Sequence, residues 1–118
     1  MSSKRATARQ RPNDPTVLIL TSLANGPKHG HALAADIEEF AGVRLGPGSL
    51  YGAITRMDEQ GLIEALPSTD RRRPYQLTAS GHATLTEAVN DMRHLAETGA
   101  TRLALQRLPA AGLAGARR

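Results

Sequence analysis

The stretch GPGSLYGAITRMDEQGLIEALPSTDRRRPYQLT, residues 46–78, decides the fold. It opens on Gly46, Pro47, Gly48 and Ser49, a helix start in which proline suits the first turn because its missing N–H would have had no partner there. Leu50, Ile54 and Met57 then recur at helical spacing and make one inward face. Ser49, Gly52, Ala53, Thr55 and Arg56 are left among the residues able to look outward. Gly61 stops the helix. Two short extended segments follow, Leu62 to Leu66 and Pro74 to Leu77, joined by Pro67, Ser68, Thr69, Asp70, Arg71, Arg72 and Arg73. A connection so rich in turn formers and cations suits a hairpin tip. Pro74 has no N–H to give a ladder, so its strand is expected at an edge.

Upstream, Asp14 and Pro15 begin a first helix over 15–25, with Asp as the cap, and Asn25, Gly26 and Pro27 end it. Leu33, Ile37, Phe40 and Ala41 form one stripe of a second helix, about 30–41, closed by Gly42. Downstream of the cap Thr78, no proline interrupts the chain before about Arg107. Leu85, Val89, Met92, Ala96, Gly99 and Leu103 step by 4, 3, 4, 3 and 4, the spacing of a helix packed lengthwise on another helix. A helix of that length spans roughly 43 Å at about 1.5 Å per residue, more than a small head can cover, which points to self-association.

Three short helices followed by a charged two-stranded hairpin is the order of a winged helix-turn-helix. The expected class is therefore mainly α, with a two-stranded wing and one long dimerisation helix. The boundaries read as a basic flexible arm over 1–13, a winged-helix domain over 14–78, the long helix over 79–108, and a flexible tail over 109–118.

Composition narrows the function. The 118 residues are 40% hydrophobic and 22% charged, enough apolar material for a modest single core. There is no Cys, hence no disulfide framework, thiolate metal site or cysteine nucleophile. No apolar run reaches the roughly 18–20 residues of a membrane span, and the polar start lacks the apolar stretch of an export signal. A cytoplasmic protein without a membrane partner is expected. Phe40, Tyr51 and Tyr75 are the only aromatics, too few for stacked recognition of single strands. The net charge of +4 is uneven: residues 15–69 hold three cations against six acids, so the positive excess sits in residues 1–14, the 70–80 segment and the final Arg117 and Arg118. Such a pattern suits a polyanionic partner.

Several motifs together carry a family resemblance: Leu18, Ile19 and Leu20; Gly26, Pro27, Lys28, His29 and Gly30; Pro47 to Tyr51; Gly61, Leu62 and Ile63; and the run from Arg72 to Gly81. In this order and spacing, from about Val17 to Arg107, the chain resembles the PadR family of transcriptional regulators, in particular short members with a single C-terminal dimerisation helix. The resemblance implies a winged-helix homodimer that represses transcription from double-stranded DNA. It implies that Ser49, Tyr51 and nearby residues of the third helix contact DNA while the arginine-rich wing takes the flanking backbone or minor groove. Two positions depart from the pattern. His31 stands where the family usually has an aromatic, and Ile54 or Met57 where it usually has Leu.

The expected DNA contacts are Lys28, His29, Gly48, Ser49, Tyr51, Gly52, Thr55, Arg56, Arg71, Arg72, Arg73 and Tyr75. Gly48 and Ser49 offer helix-start N–H groups and a hydroxyl to a phosphate, and Gly52 and Ala53 would let the helix backbone sit close to a groove wall. The expected dimer contacts are Leu85, Val89, Met92, Ala96, Gly99 and Leu103. A two-fold dimer implies an inverted-repeat operator. No cofactor is expected, and no metal, since His29 and His31 have no third ligand close by in sequence; His29 also reads as the cap of the second helix. No phosphate loop, nucleophile elbow or His-Glu pair supports an enzyme. A small-molecule effector is a further candidate partner. Relatives are expected to hold flat aromatic compounds between the dimer helices, yet the long helix here has no aromatic to stack on one. The alternative is a winged-helix module that docks on protein; it would call for an exposed apolar patch in place of basic residues.

Overall fold

A computed structural model describes residues 14–68 and 71–117. The arm expected at 1–13 lies outside the described residues. Helix α1, Pro15–Leu23, starts where Asp14 Oδ1 accepts the Thr16 N–H at 2.8 Å. It is the central element of the head, with Val17, Leu18, Ile19, Leu20, Ser22 and Leu23 all buried. It ends two residues before the expected Asn25, because the Gly26 N–H turns back to the Leu23 carbonyl and Gly26 takes a positive φ of 141°.

Helix α2, Gly30–Ala41, is closed by Gly42 in the left-handed conformation. Leu33 and Ile37 are buried on α1, but Phe40, expected on the same stripe, is 46% exposed, and Ala41 is exposed as well. The stripe is covered only through Ile37; the last turn of α2 has no buried apolar residue. Helix α3, Pro47–Glu59, buries Leu50, Ile54 and Met57 as expected. Ala53, expected outward, is fully buried, because residues 50, 53, 54 and 57 form one continuous stripe.

Strands β1, Ile63–Ala65, and β2, Tyr75–Leu77, pair antiparallel with Ile63 opposite Leu77 and Ala65 opposite Tyr75. Beyond this pair, Tyr75 exchanges both backbone hydrogen bonds with Lys28, at 2.9 and 3.1 Å. The far side of β2 is therefore engaged at Tyr75, whereas Pro74 contributes only its carbonyl, to the Leu66 N–H.

Helix α4, Ala79–Arg117, begins where Thr78 Oγ1 accepts the Gly81 N–H at 3.0 Å. Gly81 is buried under the Leu62 carbonyl, and a Cβ at this position would collide with that oxygen. Leu85 packs on the head core and Ala88 is buried, so the head extends through Ala88 and a second unit starts at Val89. The expected boundary at 78/79 thus moves by the first turns of the helix. Helicity also continues to Arg117 where a tail was expected from 109. The segment past Pro109 is rich in alanine, the best helix former, and one proline forfeits a single N–H bond without ending the helix.

The tight approach at Gly81 makes a test of the packing. Gly81→Ala should destabilise the chain by about 1–3 kcal/mol, since the obstacle is backbone and cannot rotate away. Thermal unfolding followed by circular dichroism checks this; an unchanged midpoint would show that the contact has slack.

Candidate nucleic-acid interface

Among the described helices of the head, α3 starts without a side-chain cap. Gly46 occupies its cap position and has no side chain to offer the first amides, while Asp14 and His29 cap α1 and α2. The first α3 amides, next to exposed Gly48 and Ser49, are open to an anion. The solvent face of α3 then presents Tyr51, Thr55 and Arg56. Thr55 donates its hydroxyl to the Tyr51 carbonyl at 2.9 Å, which leaves its oxygen to accept. The Arg56 guanidinium lies back over Gly52, 3.6 Å from where a Cβ would stand. That is ordinary van der Waals distance, so the head itself would accommodate a methyl group at Gly52.

Tyr51 is 51% exposed, yet its position is held. Its ring rests against Gly30 at the start of α2, where a Cβ would lie 2.8 Å from two ring carbons. Gly30, quoted from the sequence only as part of a motif, is thus what makes room for the Tyr51 ring; its signal is a glycine directly after a helix cap, where nothing local calls for one.

Beside Tyr51 lies a cavity of about 270 Å³ lined by Gly30, His29, His31, Tyr51, Tyr75 and the three arginines Arg71, Arg72 and Arg73. All three arginines are exposed, and no carboxylate is among the described lining residues. His29 has two roles. Its Nδ1 accepts the Ala32 N–H at 3.3 Å as the α2 cap, and its Nε2 lies 3.5 Å from a terminal nitrogen of Arg72. The His31 ring stacks alongside, with centroids 6.4 Å apart and planes 17° from parallel. Among the described residues no group of three or more His, Cys, Asp or Glu side chains could hold a metal ion.

Of the expected DNA contacts, then, Gly48, Ser49, Tyr51, Gly52, Thr55 and Arg56 share the outer side of α3, and His29, Arg71, Arg72, Arg73 and Tyr75 line the adjoining cavity together with Tyr51. Lys28 is set apart from them by its partners within the head. Its ammonium donates to the Ser22 carbonyl and to Asn25 Oδ1 and sits 3.9 Å from Asp36, which also accepts the Ser22 hydroxyl at 2.6 Å. The charge of Lys28 is thus spent on joining α1 to α2. Tyr75 is half-buried against the core, so only part of its ring faces the cavity.

In the second unit, Leu95, Leu103 and Leu105 are 72%, 64% and 61% exposed, and Ala96 and Gly99 are exposed too; Val89 and Met92 are half-buried. Leu95 and Leu105 extend the apolar surface beyond the stripe read from sequence, whereas Leu85 belongs to the head. No helix among the described residues is long and apolar enough to cross a membrane.

Comparison with known proteins places these features. The model of the transcriptional regulator PadR-like family matches residues 19–87. A 37.1 kDa protein in transposon TN4556 of Streptomyces fradiae is 45% identical over 85 residues, covering 72% of this chain and 25% of that protein. This chain therefore corresponds to about a quarter of that relative's length. The transcriptional regulator Rv3488 of Mycobacterium tuberculosis is 32% identical over 81 residues, covering 66% of this chain and 75% of the relative. Among solved structures, a PadR family transcription regulator from Clostridium difficile superposes with a TM-score of 0.68 at 24% identity, over 75% of this chain and 97% of that one.

Proposed function

We propose that this chain, which belongs to the PadR-like family of transcriptional regulators, is a homodimeric, sequence-specific DNA-binding repressor of the cytoplasm. The observation that carries the reading is the continuity of the exposed α3 face with a cavity lined by three arginines, with no carboxylate among its described residues. In this reading α3 enters the major groove, where Arg56 suits the two acceptors of a guanine edge, Ser49 suits either kind of base edge, and Thr55, its proton given to Tyr51, suits a base-edge donor. Arg71, Arg72 and Arg73 grip the flanking backbone, which fixes register without reading sequence. Helix α4 pairs with that of a second copy through Val89, Met92, Ala96, Gly99 and Leu103, with Leu95 at the edge of this row, which one protomer leaves uncovered from Leu95 onward. A small-molecule effector, where one acts, would have to pack on these aliphatics or enter the His29 and His31 cavity, because α4 offers no aromatic ring.

A protein-docking module on the same fold is separated from this reading by salt. Affinity for duplex DNA should fall steeply as salt rises, by roughly 10³ to 10⁵ between 50 and 200 mM if about 6–10 phosphates are contacted. Fluorescence anisotropy across that range measures the slope; the absence of duplex binding at low salt would sink the proposal.

A further inference from the structure

We propose that Thr78 is a positioning residue for DNA recognition: its hydroxyl ties the end of α3 to the start of α4, and this tie sets which spacing of half-sites the dimer accepts. The inference rests on the reading of a two-fold DNA-binding dimer and deepens it. Its starting point is a run of hydrogen bonds with no long side chain in it. Helix α3 closes on a turn in which the Gly61 N–H donates to the Asp58 carbonyl at 3.0 Å and the Leu62 N–H to the Met57 carbonyl at 2.9 Å. This is the Schellman pattern, which fastens the two residues to the helix end. Both carbonyls of the turn then accept from Thr78. Its N–H donates to the Leu62 carbonyl at 3.1 Å, and its hydroxyl donates to the Gly61 carbonyl. The same hydroxyl oxygen accepts the Gly81 N–H at 3.0 Å. One proton and two lone pairs allow a hydroxyl to do both at once.

From Met57 to Gly81 the path therefore runs through backbone groups and one β-branched side chain, whose χ1 is stiff. Gly81 closes it, lying against the Leu62 carbonyl with no room for a Cβ. Two simpler roles leave part of this arrangement unused. A helix cap needs only an acceptor, so the donation to Gly61, 17 residues back in the chain, adds nothing to the cap. Gly61 is exposed, so water would satisfy its carbonyl as well. Leu85 and Ala88 also hold the first turns of α4 on the head, but apolar burial is non-directional, whereas a hydrogen bond has a preferred angle. The tie thus fixes the direction in which α4 starts relative to the end of α3. In a dimer paired through α4 it acts twice, once in each protomer. Half-sites one base pair further apart are displaced by about 3.4 Å and rotated by about 35°. A stiff joint does not follow that change; a loosened one does.

The test is selection by the full chain from a pool of random-sequence duplexes, reading the distance between the two half-sites that are enriched. Thr78→Ser keeps both the donor and the acceptor. Thr78→Asp keeps an acceptor for the cap but has no proton to give Gly61. Thr78→Val removes both without adding charge. Thermal midpoints establish that each variant is folded, and if Thr78→Val is not, Thr78→Asp decides alone. Wild type and Thr78→Ser should prefer one spacing over its neighbours by about tenfold or more, since a hydrogen bond made in both protomers is worth about that factor. Thr78→Asp and Thr78→Val should enrich the same half-site sequence but spread over adjacent spacings, with a preference below about threefold. An unchanged spacing preference in Thr78→Asp, whatever its affinity, would reduce Thr78 to a helix cap and overturn the proposal. Wild type that enriches half-sites at no fixed spacing would overturn it too, while leaving sequence-specific DNA binding standing; wild type that enriches no sequence would remove both.

Discussion

Leu103→Asp should sediment as a monomer and lose duplex affinity on the order of 10²–10⁴-fold, the factor that a second tethered head contributes. Leu103 lies on the expected stripe with Met92 and Ala96 and is 64% exposed in one protomer, so it has little to lose in its own chain. In a helix-to-helix dimer it would be buried, and an unpaired carboxylate buried there costs several kcal/mol, comparable to the stability of a small interface. Met92→Asp should act the same way. Sedimentation velocity reads the mass and anisotropy the affinity. A dimeric mass in both variants would move the interface elsewhere. Gly99 shares the exposed surface without a side chain, which suits close approach of two helices.

Replacing Arg71, Arg72 and Arg73 together by Ala should weaken binding to every duplex on the order of 10²–10³-fold and flatten the salt dependence by about 0.9 in slope for each phosphate no longer neutralised. Preference among sequences should stay, because these residues meet backbone and not base edges. The folded head should tolerate the change, since all three side chains are exposed and none belongs to the core cluster. Unchanged affinity and slope in the triple variant would show that the wing does not touch DNA.

The order of elements was readable because each carries a local signal. Asp14 and Thr78 cap the helices they were expected to cap, and Leu50, Ile54 and Met57 are buried where their spacing put them. The failures have one physical origin, contacts between residues distant in sequence. Phe40 continues a helical stripe whose cover ends at Ile37, and spacing alone cannot say where a neighbouring surface stops. Lys28 sits in a basic, glycine-rich motif, but its partners Ser22, Asn25 and Asp36 meet it only once α1 and α2 pack. Leu85 looks like the start of an interface stripe until β1 and the turn before it are folded beneath Gly81.

The same reasoning applies to the interface. Outward α3 residues could be read from a helical period, and the wing arginines from a charged turn. The cavity between them could not. His29 and Arg72 are 43 residues apart in sequence and meet only because the Lys28 backbone pairs with Tyr75, which brings the start of α2 against the base of the wing. Gly30 belongs to the same class: the close seat of Tyr51 explains it, and that seat exists only in the folded head.

The claim that this chain is a two-fold, sequence-specific DNA-binding regulator is tested most directly by a DNA-protection footprint of the wild-type protein on the region upstream of its own gene. The account predicts two protected half-sites forming an inverted repeat, centred about one helical turn apart, roughly 34–36 Å, so that both α3 helices meet major grooves on one face. Uniform protection along the whole fragment, or none at concentrations that saturate random duplex, would contradict it.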